Sequence, residues 1–150
     1  MALQLLAALV LGLMSGSETN VAAFAHPAIG RQPLEVHVRA RAMLAGVLGR
    51  VMPFWMAGST LLNLLLLMPF AHLIRTAWNL AAIALAIQVF AVVFSLAGPV
   101  PINKRIEKWM PTSLPTDWEA EEHRWDFYHW LRTGGLIVGF ALLVTSVGVR

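Results

Sequence analysis

The sequence predicts an all-α integral membrane protein: a four-helix bundle with an interfacial helix before the second span and a long fourth helix extending into the cytoplasm. Three observations predict it. The 150 residues carry only 11 Lys or Arg and 8 Asp or Glu, 13% charged, against roughly 25% in soluble domains. Residues 1–17, 51–74, 76–103 and 133–149 contain no charge at all, and each window approaches the ~17–25 residues of a bilayer crossing. Hydrophobic content of 58% with no cysteine excludes disorder, a disulfide-stapled domain, thiolate metal sites and cysteine nucleophiles. The pI near 10.2 comes from basic residues scattered beside apolar runs, so the expected partner is the lipid bilayer and not nucleic acid. One domain over residues 1–150 is expected.

The first span covers about residues 2–21. Ala23-Phe24-Ala25 resembles a signal-peptidase site, but no basic n-region precedes the apolar stretch, which also starts too far upstream, so a retained span is favoured. Pro27, Gly30 and Pro33 should break the helix into a connector. Residues 34–50 then read as the interfacial helix. Met43, Val47 and Val51, and likewise Leu44, Leu48 and Met52, recur at four-residue spacing. Pro53 should bend the chain into the second span, residues 54–70, ending near Pro69. In the third span, residues 78–96, only Asn79, Gln88 and Ser95 interrupt the apolar run, and Gly98-Pro99-Val100-Pro101 ends it. A polar, Trp-containing segment covers residues 102–115. Thr116 reads as an N-cap with Glu119 completing a capping box and Asp117 favouring the dipole, opening a helix that runs on into the fourth span, residues 130–149.

Charge asymmetry sets the expected topology. The first connector carries Arg31, Arg39, Arg41 and Arg50, and the third carries Lys104, Arg105, Lys108 and Arg124; the opposite side has Arg75 and Arg150. Both termini are therefore expected outside the cytoplasm, in the plasma (inner) membrane. Trp78 at one face and Trp109, Trp125 and Trp130 at the other read as an aromatic belt.

This arrangement converges polar residues at one end of the bundle: Glu18, Asn20, His26, Arg50, Asn103, Asp126, His129 and Arg132. A carboxylate in an apolar span costs ~2.5–3.5 kcal/mol on insertion scales unless paired, protonated or near water. Glu18 is thus either an interfacial acid satisfied by Arg, Ser or Asn neighbours, or a group handling a ligand, proton or metal. His26, eight residues further along, lies about 80° around and ~12 Å along a regular helix, so the two share no small site unless the helix breaks. Trp118, Glu122, Trp125, Asp126, His129, Arg132 and Thr133 form one stripe. Asp126 and His129 have the i, i+3 spacing of carboxylate-bridged metal bundles, although one chain supplies a single such pair. A haem between His26 and His129 is the other metal option, and the cofactor stays unknown. Glu119, Glu121 and His123 read as a solvated helix start. His129 beside Arg132 suits a neutral imidazole base next to an oxyanion-stabilising cation. Met43, Met52, Met56 and Met68 read as packing residues. Nucleotide loops, nucleophile elbows, His-Glu-x-x-His motifs and inverted repeats do not occur.

Four stretches together resemble the anthrone oxygenase-like family of small four-span membrane proteins. They are Ser17-Glu18 with Val21-Ala22-Ala23-Phe24-Ala25-His26-Pro27-Ala28; Leu48-Gly49-Arg50-Val51-Met52-Pro53-Phe54-Trp55; Gly98-Pro99-Val100-Pro101-Ile102-Asn103-Lys104-Arg105-Ile106 with Trp109; and Arg124-Trp125-Asp126 with His129 and Arg132. Ser17 stands where relatives often carry Asn. The resemblance implies oxidation of a hydrophobic aromatic or quinone-like molecule by dioxygen. With the polar convergence, it gives His129, Arg132, His26 and Glu18 as candidate catalytic residues and Arg50, Asn103, Trp125 and Asp126 as candidate substrate-binding residues. The alternative is a non-catalytic membrane scaffold whose Trp118 to Trp130 face docks a partner or lipid. The oligomeric state is not legible from the sequence.

Overall fold

A computed structural model of the chain describes residues 1–149; Arg150, counted above in the charge asymmetry, lies outside them. All regular elements among the described residues are helical. Helix α1 (Ala2–Asn20) passes through a π-helical turn (Val21–Ala25) into α2 (His26–Gly30). Helices α3 (Leu34–Leu66) and α4 (Arg75–Ala97) are joined through a 3-10 turn (Pro69–Ala71), and a short α5 (Pro99–Ile106) precedes α6 (Trp118–Gly148).

The long helices pack along seams read directly from spacing. Buried Met52, Met56, Ser59, Asn63 and Leu66 on α3, and Ala77, Ala81, Ala84, Gln88, Ala91 and Ser95 on α4, alternate steps of four and three, as in helix pairs that cross at small angles. Alanine at four of those α4 positions lets backbones approach, which drives association where lipid offers no hydrophobic contrast. Gln4 Nε2 donates to the Ser146 carbonyl at 3.1 Å while Glu18 meets Arg132, so α1 and α6 are antiparallel. Arg132 also reaches Ser95, and Tyr128 packs against Gly98, so α4 and α6 are antiparallel. His37 pairs with Glu122 and Arg41 with Asp126, so α3 runs parallel to α6. The ends of α1 and α4 and the starts of α3 and α6 therefore share one end of the bundle.

Among the described residues, three helices are long and apolar enough to cross a membrane: Ala2–Gly30, Arg75–Ala97 and Trp118–Gly148. Exposed Phe54, Phe90, Val93 and Val138 give the outside an apolar surface suited to lipid. The chain is an all-α, largely membrane-embedded protein.

Several expectations are corrected. The first helix does not end before Pro27: the missing N–H and ring clash of that proline are absorbed by the wider π-helical turn just before it. Leu34–Leu66 form one helix with Pro53 inside it: the proline removes a single backbone donor, and the buried seam of Met52, Met56 and Ser59 carries the helix past it; the helix stops at Leu66, short of Pro69. Thr116 is not the N-cap. Asp117 takes that position without a side-chain bond, and Trp118 packs edge-on against Trp109 and His37, so ring packing and not a capping box fixes the start. Residues 102–115 are not all loop, since Ile102 and Ile106 of α5 are buried. Trp109 and Trp125 are core residues, leaving Trp78 and Trp130 as the exposed members of the expected belt. Glu121 is buried and paired with Arg105, not solvated.

Candidate functional site

At the shared end a buried charge cluster ties α1, α4 and α6 together. The Glu18 and Arg132 side chains are 2% and 8% exposed and pair through Oε2 and Nη2. Nη2 also donates to His129 Nδ1 at 3.1 Å, and Nη1 donates to Ser95 Oγ at 3.2 Å. His129 Nε2 donates to the backbone carbonyl of Glu18 at 3.0 Å. That pattern describes a neutral imidazole protonated on Nε2, its Nδ1 lone pair turned toward the guanidinium and 3.1 Å from Glu18 Oε2. Two atoms are left over. Glu18 Oε1 and Arg132 Nε are buried without a partner among the described residues, and an unsatisfied buried carboxylate oxygen is costly enough to need a reason.

A cavity of about 360 Å³ adjoins this cluster, within the size range of small-molecule sites. Glu18, Ser95, His129 and Arg132 form its polar pole, Met52, Met56 and Val92 its apolar walls, and Arg50, Asn103 and Lys104 its mouth. Asn103 Nδ2 donates to the Ala45 carbonyl at 2.8 Å, and Gly49 makes the room: a Cβ there would lie 2.9 Å from that nitrogen. Pro53 and Ala57 of α3 and Leu96 of α4 line the cavity and are also exposed on the outer surface, Leu96 to 64%. The cavity therefore opens sideways between α3 and α4.

A second cavity of about 320 Å³ lies behind the first, lined by His26, His37, Glu122, His123, Asp126 and Trp130 among others, and His129 lines both. Its charges are cross-linked. His26 Nδ1 donates to Asp126 Oδ1 at 2.9 Å, His37 Nε2 to Glu122 Oε1 at 2.6 Å, and Arg41 bridges Glu122 at 2.8 Å and Asp126 at 3.0 Å. Arg41 also lies 5.5 Å over the Trp125 ring, which stacks on His129 at 4.6 Å and touches His26 at 4.8 Å.

Of the expected residues, Glu18, Arg50, Asn103, Trp125, His129 and Arg132 line the first cavity, while His26 and Asp126 lie on the second. The His26 and His129 rings are 6.1 Å apart. The π-helical turn explains this approach: it advances fewer degrees per residue than an α-helix and swings His26 back toward the face of Glu18. Asp126 and His129 bond to different partners and share no metal position. His129 has both ring nitrogens engaged, leaving none for a haem. Among the described residues no group of three or more His, Asp or Glu is placed to hold a metal ion. Ser95, Arg41, His37 and Glu122 belong to the site network without having been candidates. Their sequence signal is the four-residue step shared by His37 with Arg41 and by Glu122 with Asp126, which sets two complementary pairs on facing helices.

No curated protein and no solved structure matches the chain. The sequence profile of the anthrone oxygenase family matches residues 37–142, a stretch that holds all but the first turn of α3, α4, α5 and most of α6, with Arg50, Ser95, Asn103, Trp125, Asp126, His129 and Arg132. The chain belongs to the anthrone oxygenase family.

Proposed function

We propose that the protein is a four-span oxygenase that converts a hydrophobic anthrone-like aromatic to the corresponding quinone with dioxygen, at a site facing the cytoplasm. The observation that carries this is Glu18 Oε1: a buried carboxylate oxygen on the cavity with no partner, its twin oxygen held by Arg132. An anthrone methylene between two aryl rings is acidic because its anion delocalises onto the carbonyl oxygen. Glu18 Oε1 accepts one methylene proton, and Arg132, paired with its twin oxygen, is the cation that stabilises the enolate. The anion is oxidised by dioxygen and forms a C–O bond. The resulting peroxide recovers the proton from Glu18, and loss of the second methylene proton with cleavage of the O–O bond gives the new carbonyl and one water. Anthrone and dioxygen are thus balanced by anthraquinone and water. His129, with both nitrogens engaged, holds Glu18 and Arg132 in place; His26 and Asp126 support it from the neighbouring cavity.

The fourth crossing is α3. The chain leaves α2 at the site end and enters α4 at the other, where Trp78 Nε1 donates to the Leu67 carbonyl at 3.2 Å, which supports a crossing by α3 alongside α4. The excess of Lys and Arg on the site-end connectors supports a cytoplasmic site and termini outside. Purified protein in nanodiscs should oxidise emodin anthrone well above its autoxidation rate. A rate unchanged by protein, with and without added iron or copper, would refute the reading. The scaffold alternative draws on the same ion pairs binding three helices together; it predicts that no anthrone or quinone raises the melting temperature.

A further inference from the structure

The cavity mouth carries charge that the reaction above leaves mostly unused. Arg50 on α3 and Lys104 on α5 both line it, and among the described residues neither takes part in an ion pair. Arg50 Nε donates to the Gly46 carbonyl at 3.0 Å. That bond pins the guanidinium at the mouth and leaves its two terminal nitrogens available as a planar pair of donors. Glu107, the acid of the mouth, lies against Gly46, with Oε1 3.2 Å from where a Cβ there would sit. Two cations and one acid give a net positive rim. Below it the α3 wall runs from Gly46 to Ala57, a length of about 16 Å at helical rise, and past Arg50 it carries no charged residue.

We propose that the ligand of this cavity is an aromatic acid: planar rings between Met52, Met56 and Val92, and an anionic substituent, a carboxylate for choice, on Arg50 and Lys104. This rests on the reading of the cavity as the substrate site but needs no turnover. The lateral opening lets the rings arrive from lipid while the acid stays at the interface, where charge costs least. The same anion chemistry is available from a phospholipid headgroup, and the experiment separates the two.

Binding of anthracene-2-carboxylate and of its neutral counterpart anthracene-2-methanol is followed by fluorescence in phosphatidylcholine nanodiscs, with protein-free discs subtracted. The carboxylate should bind about tenfold tighter. The double variant Arg50→Gln/Lys104→Gln should erase that preference while leaving the alcohol unchanged, and Glu107→Gln, which removes the opposing charge, should tighten the carboxylate about threefold. Equal affinities in the wild type, or equal loss of both probes in the double variant, would overturn the proposal. So would competition by phosphatidylglycerol that abolishes the preference, since the rim would then hold lipid phosphate. A protein that shows the preference yet fails to oxidise emodin anthrone sinks the oxygenase reading alone; one that oxidises it without the preference sinks this one alone.

Discussion

Replacing either member of the Glu18–Arg132 pair by Gln, and then both, tests whether the site stands on a buried charge pair. The two side chains are 2% and 8% exposed, so removing one charge strands the other in a medium where a pair at contact is worth about 4 kcal/mol at an effective dielectric of 20. Glu18→Gln leaves the guanidinium with two neutral partners, His129 Nδ1 and Ser95 Oγ. Arg132→Gln leaves a carboxylate that already has one unpaired oxygen and loses its only strong donor. Each single variant should cost about 3–5 kcal/mol of unfolding free energy, the usual penalty for breaking a buried pair. The double variant removes both charges and retains amides that can bond to each other, so it should be about 3 kcal/mol less destabilised than the sum of the singles. Reversible unfolding in bicelles, followed by tryptophan fluorescence, measures all three against wild type. Additivity to within about 0.5 kcal/mol is the mark of uncoupled residues and would refute the argument, together with the assignment of Oε1 as a base held ready by its paired twin.

Other substitutions probe the surroundings. Ser95→Ala removes the acceptor of Arg132 Nη1 and should cost about 1 kcal/mol of stability while lowering anthrone oxidation several-fold, read from the quinone absorbance. Gly49→Ala places a methyl 2.9 Å from Asn103 Nδ2; it should break the Asn103–Ala45 bond and raise KM more than it lowers kcat. Arg41→Met leaves Glu122 and Asp126, whose side chains are 14% and 35% exposed, with only His37 and His26 as partners, and removes the cation over Trp125. About 2–4 kcal/mol of stability should be lost, and the effect should shrink when Glu122→Gln is added. A Glu18→Gln enzyme that still turns over within threefold of wild type would argue against Glu18 as the base, since a general base contributes about 10²–10⁴-fold.

The polar end of the bundle was legible because charges are so rare that their positions carry information. Glu18 and Arg132 stood out as intrusions into apolar windows, and antiparallel packing brings them together. What was not legible depended on backbone irregularity and on contacts across helices. Regular helical geometry separates Glu18 from His26 by about 80°, and only the π-helical turn over Val21–Ala25 closes that angle; nothing in Val-Ala-Ala-Phe-Ala announces it. Pro53 reads as a bend between an interfacial helix and a span, whereas the buried seam of Met52, Met56 and Ser59 carries one helix through it. Arg41 reads only as one of four topology-setting arginines of the first connector because its partners, Glu122 and Asp126, lie more than eighty residues away. Trp109 and Trp125 read as interfacial anchors because the sequence marks them as near the boundary without saying whether they face the core or the outside.

The sideways opening between Pro53, Ala57 and Leu96 changes what concentration means for this protein. A site reached through the bilayer samples the mole fraction of ligand in lipid, not its molarity in water. Its apparent KM in bulk units should then rise in proportion to the amount of lipid present at fixed total substrate, and two substrates with identical fit should be ranked by how strongly each partitions into the membrane. The cell can regulate such a reaction without touching the protein, by altering how much membrane there is to share the substrate.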